Sequence, residues 1–331
     1  MPRQFVESLC DGEAVDEVYL LSEKQLRANR NADLYLLTSL RDRSGTISGL
    51  MWNVTEESTA TYDAGQFVRV RGKVQLYQGG LQMILTRVDP VASEQLDLED
   101  FENQPAQDVV EMLDRIRSIL GSIENDDLRQ LMALFLDDES LMGQFTLAVA
   151  GIKVHHAYRG GLVEHVLTIL EAARRVSELY PFLDRDLLLA GVFLHDLGKV
   201  REISTEGSYF YTDEGQLIGH LVIVVGMLER RLAEFEERIG WPFPEETALR
   251  LKHMIVSHHG AYESGSPKLP MTLEAVALHQ LDTLDARLHE VNSLIEADPN
   301  RDSHWTSFIP RLSRKLFKGG DDAAPAEPTE P

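Results

Sequence analysis

Histidine and aspartate residues that end or interrupt apolar stretches are the most informative feature of this sequence. The stretch AGVFLHDLGKV, residues 190–200, is apolar at its start and then presents His195, Asp196 and, one turn later, Lys199. An ionised side chain inside a protein is costly unless it is paired or bound to a metal ion. The stretch therefore predicts an interior site at which an ion or ligand stabilises these groups.

Most of the other histidines repeat this pattern. Ten of the eleven lie between residues 155 and 289, within segments whose apolar residues have helical spacing. Four more positions have mostly apolar helical neighbours: His165, His220, the pair His258–His259, and Asp282. A single imidazole on an apolar face is usually a packed core residue. Five segments that each carry a His or an Asp instead predict one metal site inside a helical bundle.

The order of these residues resembles the HD-domain metal-dependent phosphohydrolases. An adjacent His-Asp pair alone is a weak signal, but the full order with HDLGK and a later Asp on a helix is a strong one. The resemblance implies a dinuclear site with these metal ligands: His165, His195, Asp196, His220, His258 and Asp282. It implies that Asp196 bridges the two ions, since one carboxylate can offer an oxygen to each.

Such a site suits the hydrolysis of phosphodiesters, because two divalent ions about 3.5–4 Å apart activate water and neutralise phosphate charge. Mixed His and carboxylate ligands favour Mn²⁺, with Fe²⁺, Zn²⁺ and Mg²⁺ as alternatives. We predict catalytic roles for Asp196 and Lys199, although Lys199 could instead cap a helix C-terminus. The predicted substrate-binding residues are His259, Arg159 and Lys268. The sequence leaves open which of His258 and His259 is the ligand.

Residues 15–91 have a different periodicity from the histidine-rich part. Segments such as FVRVRGKVQLY alternate apolar and polar residues, and RSGT and QGG are typical of hairpin turns. About five strands without a helix predict a small all-β barrel, and an OB-fold is the first candidate. Aromatic residues of this part could stack on bases or fill the core: Tyr19, Tyr35, Trp52, Phe67 and Tyr77. Basic residues that could contact phosphates are Arg41, Arg43, Arg69, Arg71 and Lys73.

The fold class predicted is multidomain, with an N-terminal all-β OB-fold barrel followed by an all-α HD-domain bundle. We place the barrel at residues 1–100, a helical connector at 101–150, the HD domain at 151–317 and a disordered acidic tail at 318–331. Helical spacing begins near Pro105 and continues to about Arg314.

The composition limits the class of protein. The net charge of −22 argues against nucleic acid as a partner, but residues 18–91 carry nine Lys/Arg against seven Asp/Glu. The barrel is therefore locally non-acidic. The single cysteine, Cys10, excludes a disulfide framework. With no signal peptide and no apolar run near twenty residues, we expect a soluble cytoplasmic protein.

Taken as a set, several motifs are similar to those of the YhaM-type 3′→5′ exoribonucleases, also known as CMP-repeat-binding factors. The motifs are HHAYRGGLVEH, HDLGK, GH, SHHG, GSPKLPMTLEA and LHQLDTLDA. The resemblance covers about residues 15–315 and implies a metal-dependent exoribonuclease that acts on single-stranded RNA. Single-stranded DNA as a substrate and a homo-oligomer are left open. The alternatives are a phosphohydrolase of a nucleotide or cyclic dinucleotide, and a non-catalytic nucleic-acid-binding factor.

Overall fold

The N-terminal part of the chain forms a closed five-stranded barrel. The structure, a computed structural model, describes residues 3–29, 33–77, 80–93, 96–97, 100–101, 108–152, 158–205, 209–296, 298 and 303–319. The barrel strands are β1 (Ala14–Ala28), β2 (Leu34–Asp42), β3 (Gly45–Trp52), β4 (Phe67–Tyr77) and β5 (Gly80–Val91). Their order around the barrel is β1-β2-β3-β5-β4, and a short helix, α1 (Glu56–Thr59), lies between β3 and β4. The predicted OB-fold barrel is confirmed.

Alternation of side chains decides which barrel residues form the core. Successive residues of a strand point to opposite faces, so every second residue of β2 and β4 points inward. Leu36, Leu40, Val68 and Val70 are fully buried for this reason. Tyr19 is fully buried as well, and its hydroxyl donates a hydrogen bond to the Gln4 carbonyl.

Two of the five barrel aromatics are core residues and two are exposed. Tyr19 and Phe67 are buried, whereas Trp52 and Tyr77 lie on the surface. Tyr35 is half-buried beside Trp52. The rings of Trp52 and Tyr77 are therefore accessible for stacking on bases, whereas the ring of Tyr19 is not.

The rest of the described chain is mainly helical. Its helices are α2 (Val109–Gly121), α3 (Asp126–Leu136), α4 (Glu139–Leu147), α5 (Gly161–Leu179), α6 (Arg185–Leu194), α7 (Lys199–Glu202), α8 (Asp213–Leu217), α9 (His220–Ile239), α10 (Glu245–Ser257) and α11 (Leu273–Glu296). A two-stranded sheet that the sequence does not predict, β6 (Ile203–Ser204) with β7 (Phe210–Tyr211), follows α7. No helix in the described part of the chain is both long and apolar enough to cross a membrane.

The helices share one hydrophobic core that positions the histidine segments. All eight residues from Leu187 to Leu194 of α6 are buried, which explains why the sequence has no polar face there. Residues of α2–α4, in the predicted connector, belong to the same core as those of α5, α6, α9 and α10. Helix α6 therefore lies at the centre of the bundle and ends at the predicted site.

Spatial grouping divides the chain into two compact units. Residues 103–289 form one, and residues 1–102 with 290–331 form the other. The predicted boundaries at 101, 151 and 317 rest on sequence pattern and stay predictions. Residues 320–331, most of the predicted acidic tail, lie outside the described residues.

The prediction that helices continue to about Arg314 is wrong. Helix α11 ends at Glu296, and the described residues beyond 302 form isolated bridges, such as Trp305 with Phe317. Proline lacks the amide hydrogen that a helix interior requires, and it disfavours helix in the residue before it. Pro310 therefore does not continue an α-helix from the residues before it, and it begins a single 3₁₀ turn, Pro310–Leu312.

We expect Phe193→Ala to destabilise the helical unit strongly. The Phe193 ring is fully buried and meets Phe135 and Phe145 edge to face, with centroids 6.3 and 6.0 Å away. Loss of a buried aromatic side chain costs about 3–5 kcal/mol of unfolding free energy. Urea unfolding measures it, with Leu249→Ala on α10 as control because Leu249 is 65 % exposed. Equal midpoints for the two variants would contradict the assigned core.

Candidate metal centre

Five helical segments bring the predicted ligands to one place inside the bundle. His165 lies in α5 and Asp282 in α11, whereas His195 and His258 cap the C-terminal ends of α6 and α10. His220 is the first residue of α9. The four imidazoles and Asp196 are buried, and Asp282 is partly buried. All six predicted ligands therefore lie in one cluster.

Two glycines allow the start of α9 to reach this cluster. Gly219 has φ +78°, a left-handed conformation that glycine adopts at little cost, and it directly precedes His220. A Cβ at Gly198 would lie 2.3 Å from the His220 carbonyl oxygen. Glycine at position 198 of the HDLGK motif is thus required by the close approach of another helix.

One oxygen of the Asp196 carboxylate faces the first half of the cluster. Oδ2 lies 3.5 Å from Nε2 of His165 and 3.4 Å from Nε2 of His195. The Asp282 Oδ1 atom lies 3.3 Å from the His165 Nε2 and 4.0 Å from the His195 Nε2. Two imidazole nitrogens and two carboxylate oxygens thus surround one point.

The other oxygen of Asp196 faces the second half. Oδ1 lies 3.4 Å from Nε2 of His220 and 3.5 Å from Nε2 of His258. The imidazole of His259 adjoins both, with ring centroids 5.1 Å from His220 and 4.4 Å from His258. Asp196 therefore lies between two groups of ligand atoms, one on each carboxylate oxygen.

Two of the imidazoles are oriented by carboxylates. Nδ1 of His165 is 2.7 Å from Oδ2 of Asp285, and Nδ1 of His220 is 2.9 Å from Oε1 of Glu202. The same Glu202 oxygen accepts the backbone N–H of His220 at 3.0 Å. These bonds favour a proton on Nδ1 and direct Nε2 toward Asp196, which is the arrangement of metal-binding histidines.

The other two imidazoles are oriented by backbone carbonyls one turn earlier. Nδ1 of His195 is 2.7 Å from the Val192 oxygen, and Nδ1 of His258 is 2.8 Å from the Ile255 oxygen. A carbonyl can only accept, so Nδ1 is the donor in both cases. In all four predicted ligand histidines, the bond at Nδ1 thus leaves Nε2 facing the cluster.

Several of these atoms have no hydrogen-bond partner within the described part of the chain. They are Nε2 of His195, Nε2 of His220 and Oδ1 of Asp196, all buried. Buried polar atoms in native proteins normally have a partner. Divalent metal ions fit this arrangement, because each nitrogen offers a lone pair and the carboxylate oxygen lies between the nitrogens. The ligand atoms of His195, Asp196 and His258 also lie within 4.8 Å of one another. The residues present therefore fit the metal ions that an HD site implies.

The electrostatics favour a positive charge at the centre. Burial opposes protonation of His165, but the carboxylates around it, Asp196 and Asp282 among them, outweigh burial and raise its pKa well above the usual range. Burial also opposes ionisation of Asp196, yet the Lys199 ammonium and neighbouring imidazoles hold its pKa well below the usual range. The carboxylates are thus ionised at neutral pH, as ligands must be.

Lys199 lies against the bridging carboxylate. Its ammonium donates to Oδ2 of Asp196 at 2.6 Å and to the Ala150 carbonyl at 2.7 Å. Lys199 is the first residue of α7, and its side chain is only 13 % exposed. A positive charge is therefore fixed beside the group that would bridge two metals.

The three predicted substrate-binding residues have different surroundings. His259 adjoins the cluster, and burial together with the neighbouring imidazoles lowers its pKa to about 4, so it is neutral. Arg159 donates to the Thr205 carbonyl at 3.4 Å. Lys268 is exposed, in the loop where the Ser266 hydroxyl donates to its carbonyl. Residues 155–157 of the HHAYRGGLVEH motif lie outside the described residues. Of the three, His259 is the one whose contacts with the predicted ligands His220 and His258 are described.

Asp285 and Glu202 are site residues that sequence reasoning missed. Asp285 lies three residues after Asp282, on the same side of α11, and both belong to the motif LHQLDTLDA. The three-residue spacing could therefore have identified Asp285 as a residue beside the site. Glu202 had none, because its role depends on a contact with α9 that the order of residues does not reveal.

We expect Asp285→Ala to weaken metal binding without removing a ligand. The change leaves Nδ1 of His165 without its carboxylate, so the ring loses its orientation and part of its basicity. Loss of such a partner typically costs about 10- to 100-fold in metal affinity. Titration with Mn²⁺ measures the affinity, and a saturating concentration should restore most of the rate. A rate that stays low at saturation would assign Asp285 a role beyond positioning.

Two families match this chain. Residues 162–287 match the HD domain, and residues 22–91 match the OB-fold nucleic acid binding domain of the tRNA anticodon type. The first match contains all six clustered ligands. The second covers most of the barrel.

Three curated relatives cover most of the chain. The 3′-5′ exoribonuclease YhaM of Bacillus subtilis is 36 % identical over 86 % of this chain and 88 % of its own. That of Bacillus pumilus is 36 % identical with the same coverage. That of Shouchella clausii is 34 % identical over 86 % of this chain and 87 % of its own. With the cluster and both domain matches, these relatives show that the chain belongs to the YhaM family of 3′-5′ exoribonucleases.

Proposed function

We propose that this protein is a metal-dependent 3′→5′ exoribonuclease that hydrolyses phosphodiester bonds of single-stranded RNA. The observation that carries the proposal is the position of Asp196 between two groups of imidazoles, one at each of its oxygens. The relatives named as 3′-5′ exoribonucleases support the direction and the substrate. A nucleotide or cyclic dinucleotide phosphohydrolase is less favoured, because it has no use for a nucleic-acid-binding barrel.

His165, His195 and Asp282 would hold one ion with Asp196, and His220 and His258 would hold the other. When bound, the two ions supply an activated water and neutralise charge on the phosphate. We propose Mn²⁺, because imidazole and carboxylate ligands together suit it, with Fe²⁺, Zn²⁺ and Mg²⁺ as alternatives.

The chain's own residues would orient the scissile phosphate. The Lys199 ammonium, held by Asp196, places a positive charge next to the position where a phosphate oxygen would bind. His259 is neutral and beside the cluster, so it can donate a hydrogen bond but does not add charge. We also retain Arg159 and Lys268 as proposed substrate contacts. Single-stranded DNA as a second substrate and a homo-oligomer are proposals that activity on DNA oligomers and sedimentation would test.

The test is incubation of the purified protein with 5′-labelled single-stranded RNA and Mn²⁺. A ladder of products shortened from the 3′ end is expected, and EDTA should prevent it. A 3′-labelled strand should instead release the label as a mononucleotide at once. Intact RNA together with hydrolysis of free nucleotides would contradict the proposal, and so would a shifted but intact strand.

A further inference from the structure

Residues 303–319, the C-terminal hairpin, form a cationic segment that lies outside both family matches. They hold four Lys/Arg and no Asp/Glu, in a chain that has 32 Lys/Arg against 54 Asp/Glu. The HD match ends at residue 287 and the OB-fold match at residue 91, so neither match assigns this segment a role. A concentration of positive charge on so acidic a chain indicates an anionic partner.

Backbone hydrogen bonds hold the two arms of the C-terminal hairpin together. The Thr306 N–H donates to the Leu316 carbonyl at 2.9 Å, and the Lys318 N–H donates to the His304 carbonyl at 2.7 Å. The 3₁₀ turn Pro310–Leu312 lies at the tip. Thr306 and Leu316 are buried, and successive residues of an extended arm point to opposite sides. The residues on either side of these two are therefore directed toward solvent.

Three large aromatic rings of the C-terminal hairpin are exposed. Trp305 is 50 % exposed, Phe308 58 % and Phe317 57 %. Trp305 and Phe317 are bridge partners across the two arms, and their ring centroids lie 5.0 Å apart. Large apolar groups that are exposed together, rather than singly, indicate an interaction surface.

Two of the four cations attach the hairpin to the end of α11 and the residues after it. The Arg311 guanidinium lies 2.8 Å from the Glu290 carboxylate of α11. The Lys318 ammonium lies 2.9 Å from the Asp298 carboxylate, whose other oxygen accepts the Ser307 N–H at 2.9 Å. These two cations therefore have a structural role.

The other two cations, Arg314 and Lys315, are exposed, and neither takes part in an ion pair within the described part of the chain. Lys315 is two residues from Phe317 on the same arm, so both side chains lie on one side. Single-stranded nucleic acid is held by aromatic rings that stack on bases and by cations that contact phosphates. Both kinds of group lie together on this surface.

We propose that the C-terminal hairpin is an RNA-binding element, in which Trp305 and Phe317 stack on unpaired bases and Arg314 and Lys315 contact the adjoining phosphates. An RNA strand is a polyanion, so the net charge of −22 repels it except where the chain is locally cationic. The inference deepens the proposed function, because it adds a contact for the substrate outside the barrel strands, and it rests on RNA being the substrate.

The first test measures binding of a 5′-labelled single-stranded RNA to the full chain in EDTA by fluorescence anisotropy. Trp305→Ala should weaken binding at least about fivefold, the lower end of the effect of one stacked base. Trp305→Phe should restore most of the loss. Trp241→Ala is the matched control, because Trp241 is 54 % exposed and lies in the helical unit.

An abasic strand of equal length should bind wild type and Trp305→Ala equally, because it has no base to stack. The two proteins should also unfold at the same urea concentration, since Thr306 and Leu316 remain buried in both. Equal affinity of wild type and Trp305→Ala for normal RNA would overturn the inference. A changed sedimentation mass with unchanged RNA affinity would assign the surface to self-association and would overturn it as well.

The second test concerns the phosphate contacts. For single strands the slope of log affinity against log salt is about −0.7 per neutralised phosphate. Replacing Arg314 and Lys315 together with glutamine should therefore make the slope shallower by about 1.4. Glutamine at both Arg175 and Arg230, exposed residues of α5 and α9, is the control with the same change of net charge. Equal slopes for the two double variants would overturn the inference.

Failure of the inference and failure of the proposed function have different signatures. Hydrolysis of a small phosphodiester such as bis-p-nitrophenyl phosphate needs the metal site alone, so Trp305→Ala should leave that rate unchanged. If wild type with Mn²⁺ leaves RNA intact, the proposed function fails, while the binding test in EDTA still decides the role of the hairpin. If wild type shortens RNA but Trp305→Ala binds it normally, only the hairpin inference fails.

Discussion

Replacing Asp196 with alanine is expected to lower the rate of RNA hydrolysis by at least about a thousandfold. Its carboxylate faces both halves of the ligand cluster, with Oδ2 toward His165 and His195 and Oδ1 toward His220 and His258. Without this carboxylate neither of the two proposed ions would be held in place, and metal-assisted hydrolysis would lose several kcal/mol of transition-state stabilisation. Metal analysis of the purified variant should show both ions lost, and addition of Mn²⁺ should not restore the rate. That last result separates Asp196 from Asp285.

The control for this change is Asp114→Ala, which removes an exposed carboxylate from α2 in the same unit. Circular dichroism should show the same helix content in both variants. If Asp196→Ala retains activity within tenfold of wild type while EDTA still inhibits, the metal centre lies elsewhere.

His220→Ala should remove one ion and keep the other. His220 faces Oδ1 of Asp196, whereas His165, His195 and Asp282 lie at the other oxygen and are untouched. Metal content should therefore fall by about half. The rate should fall at least about a hundredfold, because one cation instead of two would activate the water and neutralise the phosphate.

His253→Ala on α10 is the matched control for the histidine change. Its Nε2 accepts the Met271 backbone N–H and takes no part in the ligand groups found among the described residues. Plasma emission measures metal in both variants, with circular dichroism to check the fold. A metal-to-protein ratio in His220→Ala equal to that of wild type would reject the two-metal site and make His220 a packed core residue.

Most of the fold could be predicted from the sequence, because periodicity determines it. The alternation in FVRVRGKVQLY correctly predicted a strand, which is β4. The apolar run of α6 correctly predicted a helix that is buried in the core. The six ligands could be named because ionisable residues among apolar neighbours need an explanation. The resemblance of their order to that of the HD-domain phosphohydrolases then implied a ligand role for each of them.

Contacts between distant segments could not be predicted. Glu202 orients His220 only because α7 lies against the start of α9, and no local pattern reveals this. Arg69 and Arg71 look like phosphate contacts in sequence, but strand register places both beside Asp16, whose carboxylate they bind at 2.7 and 2.9 Å. The absence of an α-helix among the described residues 303–314 was also missed, since Pro310 begins a single 3₁₀ turn there.

The way in which the four imidazoles are oriented has a consequence for how the enzyme can change over evolution. On each side of Asp196, one imidazole is fixed by a carbonyl of its own helix, which no substitution can delete. The other is fixed by a replaceable carboxylate, Asp285 on one side and Glu202 on the other. In the proposed two-metal site, each ion would thus have one carboxylate beyond its ligands whose replacement leaves those ligands intact. Metal affinity at the two proposed positions could then be changed separately, by a substitution at Asp285 or at Glu202.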